Sequence, residues 1–177
     1  MSRIILPKTY VGINKPLIFL AGPIRSAPNW QDEAIDILFA IEKDILVASP
    51  RRGTKNSLQE YVVKGEEDHF PRQRAWERHY LPIASKNGAI MFWLPGEEKH
   101  DCKKVYGAMT RIELGQWMTR YSLDNRHRVC VGGDGNFPEF DTICYDLSKD
   151  MEYIEIHDKL EDTCREALRL SKLLVIF

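Results

Sequence analysis

The chain has 177 residues, with 25 Lys plus Arg against 26 Asp plus Glu and 44% hydrophobic residues, and reads as one globular domain with a sizeable core. A formal charge of −1 supplies no general basic field for a nucleic acid polymer or an anionic membrane. The longest apolar runs, Leu17–Ala21, Ala89–Leu94 and Leu173–Phe177, fall far short of the ~20 residues of a spanning helix. Met1–Pro7 carries one basic residue and no secretory apolar core, so the expected location is cytoplasmic. Cys102, Cys130, Cys144 and Cys164 are far apart and read as reduced structural thiols, and the histidines lack the spacing of a metal site.

In chain order, Leu17–Ala21 is an apolar run stopped by Gly22-Pro23, which predicts a buried strand and its exit turn. Asn29 then precedes Trp30, Ala34, Ile37, Leu38 and Ile41 at helical spacing, with Asn29 as the cap and Asp32 and Glu33 at the positive helix start. Ile45–Ala48 closes on Ser49-Pro50 as a second strand, so strand, helix and strand imply a parallel pair. Arg51–Asp68 is polar and without a period, and predicts a long loop with a short helix near Leu58–Val63.

Phe70–Ser85 follows as a helix whose ends Pro71 and Pro82 weaken. Ala89–Leu94 is a strand stopped by Pro95-Gly96, and Thr110–Tyr121 a helix carrying Ile112, Leu114, Trp117, Met118 and Tyr121. Arg128–Val131 is a strand ended by Gly132-Gly133, Tyr153–Ile156 another, and Asp158–Leu170 the last helix. The alternation predicts an α/β fold, a doubly wound sheet of about five parallel strands with flanking helices.

In such a sheet the ligand crevice lies at the carboxyl ends of the strands. That rule puts Gly22-Pro23-Ile24, Ser49-Pro50-Arg51-Arg52, Leu94-Pro95, Gly107–Glu113 and Gly132-Gly133 on one rim. Glu113 is a carboxylate beside the crevice, but Thr110-Arg111-Ile112-Glu113 also fits a capping box, in which Thr110 and Glu113 satisfy free helix amides. Arg51 and Arg52 offer guanidinium forks to a phosphate, with a solvated pair as the plainer alternative. Gly132-Gly133-Asp134-Gly135 is either an anion nest or a mobile turn, and Trp93 either core or a base-stacking platform. Neither G-x-x-x-x-G-K-[ST] nor G-x-G-x-x-G occurs, which removes the phosphate-loop hydrolase and dinucleotide classes.

Several segments taken together resemble the nucleoside 2-deoxyribosyltransferase superfamily, in its nucleoside 2-deoxyribosyltransferase-like branch. They are Ile18-Phe-Leu-Ala-Gly-Pro-Ile24 with Trp30, Val47-Ala-Ser-Pro-Arg51, Gln73-Arg-Ala-Trp-Glu77, Ala89-Ile-Met-Phe-Trp-Leu-Pro95 and Thr110-Arg-Ile-Glu-Leu-Gly-Gln-Trp117, in order over residues 17–132. The resemblance implies a flavodoxin-like fold, cleavage or transfer at the N-glycosidic bond of a nucleoside or nucleotide, and a homo-oligomer. It makes Glu113, in Glu113-Leu114-Gly115, the match to the family's nucleophile. A carboxylate near C1′ stabilises the oxocarbenium charge and captures it covalently, as in retaining glycosidases, with no metal or organic cofactor.

The family's D-x-G-[TS] element ahead of the nucleophile is missing, and the longer Pro95–Gly107 loop stands in its place. Asp101, Glu98 and Glu77 are therefore the candidate acids for the departing base. Rim position and resemblance together give Gly22, Pro23, Ile24, Trp30, Arg51, Arg52, Trp93, Pro95, Thr110 and Arg111 as the expected substrate-binding residues. A nucleoside 5′-monophosphate hydrolase and a non-catalytic nucleotide sensor are the alternative functions.

Overall fold

The computed structural model of the chain describes residues 3–7, 9–51, 70–151 and 153–173. Arg52, the expected short helix near Leu58–Val63 and all but the first residue of the Arg51–Asp68 loop lie outside the described residues. The elements are β1 (Ile4–Ile5), β2 (Leu17–Ala21), α1 (Trp30–Ile41), β3 (Leu46–Ala48), α2 (Phe70–Asn87), β4 (Gly88–Leu94), α3 (Ala108–Leu123), β5 (Val129–Gly133), α4 (Phe140–Asp150), β6 (Ile156–His157) and α5 (Leu160–Ser171).

All pairings are parallel, and the strands form one sheet in the order β1-β3-β2-β4-β5-β6. Without the edge strand β1, this is the flavodoxin-like doubly wound order, which reverses direction between β2 and β4. β2 and β4 are buried along their whole length, which explains their unbroken apolar sequences. Phe19 packs on Trp76 of α2, ring centroids 5.5 Å apart, so Phe19 and Ala21 face α2 while Ile18 and Leu20 face the opposite layer. α1 and α5 pack on each other there, with the Cys164 thiol against the Ala34 carbonyl.

The structure differs from the sequence expectation in instructive places. The buried stripe of α1 is Trp30, Gln31, Ala34, Ile35 and Leu38, whereas Ile41 is exposed. Gln31, which the expected stripe left out, is buried in it because its Nε2 donates to the Pro23 carbonyl (3.2 Å) and its Oε1 accepts from Arg51 Nε (2.7 Å). Asn29 stands at the cap position of α1 without capping a backbone amide, and its Nδ2 donates to Asp32 Oδ2 (2.6 Å) instead. Pro82 does not end α2, which continues to Asn87 with Leu81 and Ala84 buried on either side of it.

β1 and α4 are elements that the sequence pattern did not signal. Two residues are too few for a period, and α4 buries only Leu147 fully, with Ile143 and Phe140 half-buried one turn apart along the same face. Gly132-Gly133 belongs to β5 rather than to a turn. A Cβ on Gly132 would meet Thr163 Oγ1 at 2.1 Å and one on Gly133 would meet the Phe140 ring at 2.4 Å, so these glycines admit α5 and α4 close to the strand. The anion-nest alternative is removed, and the following Asp134 carboxylate itself accepts the Gly96 and Asn136 amides.

All four cysteines are free thiols, and burial pushes the Cys164 thiol up to about 12. Among the described residues no helix is long and apolar enough to cross a membrane.

Candidate functional site

A cavity of about 760 Å³ opens at the carboxyl ends of β2 and β3, beside the point where the strand order reverses. β2 and its exit turn supply Phe19, Ala21 and Gly22-Pro23-Ile24, the turn after β3 supplies Pro50, and α2 supplies Gln73, Arg74 and Glu77. The loop between β4 and α3 contributes Glu97, Lys104 and Tyr106, and α3 contributes Met109, Thr110 and Glu113. The wall of the exit turn depends on Gly22, whose φ is 154°. A Cβ there would lie 2.3 Å from the Trp93 carbonyl oxygen and 2.7 Å from the Trp30 ring.

Glu113 is not part of a capping box. α3 starts at Ala108, Gly107 at φ 65° is its cap residue, and no side chain caps the helix. Thr110 is thus the third helical residue and Glu113 lies in the second turn, beyond the free amides that such a box would serve. Thr110, Leu114, Trp117 and Met118 form the buried stripe of α3, and Glu113 lies beside Leu114 on that inward side, where a carboxylate is out of place in a packing role. Ile112, expected in the stripe, is exposed.

The Glu113 side chain is 13% exposed and Glu77 11%. One guanidinium nitrogen, Arg74 Nη1, is paired with both Glu77 Oε2 and Glu113 Oε1. Gln73 Nε2 donates to the other Glu77 oxygen at 3.2 Å. Burial raises the Glu113 carboxyl above the ordinary glutamate value, the neighbouring Glu77 charge adds to this, and the Arg74 hydrogen bond opposes it. A buried carboxylate shifted in this way by burial and a like charge, in a cleft, is the kind of group that marks a candidate functional site.

The other expected residues separate into those at the cavity and those that build its walls. Gly22, Pro23, Ile24, Thr110, Glu77 and Glu113 all line it. Trp30 does not: it is buried, with Nε1 donating to the Pro23 carbonyl (2.9 Å), and so braces the exit turn from behind. Trp93 is core, and Pro95 is buried with its carbonyl accepting the Tyr106 hydroxyl (2.9 Å). Arg111 turns away, donating to the Tyr106 carbonyl (3.0 Å) and lying over the Phe137 ring (5.0 Å).

Arg51 is spoken for by the protein. Besides its bond to Gln31, its Nη2 donates to the carbonyls of Ile24 (3.0 Å) and Pro28 (3.0 Å), so the guanidinium expected to grip a phosphate instead ties down the loop after β2. Asp101 and Glu98 also lie off the cavity. Asp101 Oδ1 accepts the Lys103 amide (3.0 Å) in a local turn, and exposed Glu98 donates its amide to the Ser26 carbonyl (2.8 Å).

The residues that sequence reasoning passed over are Arg74, Glu97, Tyr106, Arg25 and Lys104, all on the cavity. Arg74 stands inside the Gln73–Glu77 segment, and Glu97 inside an acidic run that reads as solvated. In the fold Glu97 faces the cavity and pairs with His100 (2.9 Å), which raises the His100 imidazole.

No protein-family model matches the chain, and no curated protein is significantly similar to it.

Proposed function

We propose that this protein cleaves or transfers at the N-glycosidic bond of a nucleoside or nucleotide, with Glu113 as the nucleophile. The observation that carries this reading is a buried, charge-burdened carboxylate lining a cavity large enough for a sugar and base, at the switch point of a doubly wound sheet. The resemblance of the Thr110–Trp117 segment to the deoxyribosyltransferase nucleophile segment supports the same residue.

In the first step a Glu113 oxygen bonds to C1′ as the C1′–N bond breaks, and the electron pair leaves with the base nitrogen, which takes up a proton. Water or a second base then opens the sugar ester from the same face, giving hydrolysis or transfer. Both oxygens of Glu77 already accept hydrogen bonds, from Gln73 and Arg74, which suits an anchor better than a proton donor. Glu97 is the remaining carboxyl lining the cavity among the described residues, and only one of its oxygens, Oε2, is engaged by a side chain, that of His100. Glu97 is therefore the acid in this mechanism.

The nucleoside 5′-monophosphate alternative is favoured by Arg25 and Lys104, two exposed cations that also line the cavity, and no longer by Arg51. Base release measured by chromatography over a panel of ribo- and deoxynucleosides and their 5′-monophosphates tests the proposal. Release from at least one panel member is expected, whereas tight binding without release from any of them points to a sensor. Glu97→Gln is expected to slow release of poor leaving groups by about 10²-fold while sparing activated ones, as loss of a general acid does. An equal loss for both would remove Glu97 from that role.

A further inference from the structure

We propose that Arg74 is the positioning residue of this site: its guanidinium, anchored on Glu77, holds Glu113 Oε1 and keeps Glu113 the ionised carboxylate that meets the sugar. The inference rests on the reading of Glu113 as nucleophile and extends it to how the nucleophile is held. Arg74 and Glu77 are three residues apart on α2 and so share a face, and Gln73 fixes the far oxygen of Glu77. The guanidinium that spans from α2 to α3 is thereby located before any substrate arrives.

Charge counting gives the arrangement a chemical purpose. Two largely buried carboxylates share one guanidinium, so this trio carries one net negative charge where positive charge develops on the sugar. When Glu113 becomes the neutral ester, Arg74 and Glu77 remain as a balanced pair, so the intermediate strands no buried charge. Among the described residues, the other charged or titratable groups around the cavity are Arg25 after β2, and Glu97, Lys104 and Tyr106 before α3. None of these is paired with Glu113. Arg25 and Lys104 are exposed, Glu97 is held by His100, and the Tyr106 hydroxyl is committed to the Pro95 carbonyl. Without Arg74, burial and the Glu77 charge would both act to protonate Glu113.

The test compares the full chain with Arg74→Met and Arg74→Lys, each first shown to be folded by circular dichroism. The Glu113 carboxyl is titrated by carbon NMR, with Glu113→Gln supplying the assignment, and the pH profile of kcat/KM is measured in parallel. In Arg74→Met the Glu113 midpoint and the acidic limb of the profile are both expected to move to higher pH. The value of kcat should fall by about 10²-fold, with KM changed much less, as for a misplaced reacting group. Arg74→Lys should recover part of the midpoint shift, and guanidinium ion added to Arg74→Met part of kcat.

An unmoved Glu113 midpoint in folded Arg74→Met, or a loss confined to KM, overturns the proposal. If Arg74→Met does not fold, Arg74→Gln, which also removes the charge, carries the same comparison. If the wild type releases no base from any substrate, the glycosidic reading fails, while the Glu113 titration still decides whether Arg74 controls that carboxyl.

Discussion

Glu113→Gln is expected to lower base release by about 10³-fold or more while leaving the melting temperature at or above that of the wild type. The activity loss follows because the amide cannot form the sugar ester. The stability result follows from the sign of the pKa shift. Burial raises the carboxyl in the folded state, so between the ordinary glutamate value and the raised one the native protein binds a proton more tightly than the unfolded chain. Stability therefore falls as pH rises through that window, and a neutral amide removes the loss. A packing or capping role predicts the reverse, a loss of stability on the order of 1 kcal/mol with activity retained. Thermal melts and single-turnover release on the same preparations separate the two. A variant as active as the wild type rejects Glu113 as nucleophile.

Arg51→Met is expected to destabilise the fold by about 3 kcal/mol, because it leaves Gln31 Oε1 and the carbonyls of Ile24 and Pro28 short of a donor. In a chain of this size that is a fall of about 6–12 °C in melting temperature. The loop after β2, which forms the Gly22-Pro23-Ile24 wall, would loosen with it, so activity should fall even below the melting range. A phosphate-binding role predicts a different pattern: an unchanged melt and a selective rise in KM for 5′-monophosphates. Calorimetry on both proteins, with nucleoside and nucleotide KM values, distinguishes these outcomes.

The contrast between Glu113 and Arg51 shows what a sequence can reveal of such a site. Buried parallel strands are plain in the chain because runs such as Leu17–Ala21 are apolar throughout and stop at Gly or Pro. From those runs, the rule of strand ends brings Gly22, Pro23, Ile24, Thr110 and Glu113 to one rim, and they line one cavity. The rule locates a residue along the rim but not the direction in which its side chain points. Arg51 has the right chemistry at the right strand end, yet its partners lie 20 to 27 residues earlier, in a loop whose shape comes from the fold. Trp30 likewise backs the wall instead of lining it.

Arg74 was hidden for the opposite reason. A charged residue in a helix with little amphipathic bias looks solvated, and its partner Glu113 is 39 positions away. Gln31 shows the same limit in the core, where hydrogen bonds to Pro23 and Arg51 let an amide stand in an apolar stripe. In α3, whose amphipathic bias is no stronger, a local signal lay in the spacing of single residues. Glu113 precedes Leu114 and Trp117 on the helix side that carries the apolar stripe, and that misfit distinguishes it from its exposed neighbours.

The most direct measurement is to trap the sugar on the protein. A nucleoside whose sugar carries a 2-fluoro substituent should accumulate the glycosyl ester, because the electron-withdrawing group slows its breakdown. Peptide mass spectrometry is expected to find one added fluorosugar on the peptide containing Glu113, and none in Glu113→Gln. Base release from that analogue with no adduct, or an adduct on any other residue, would contradict covalent catalysis by Glu113.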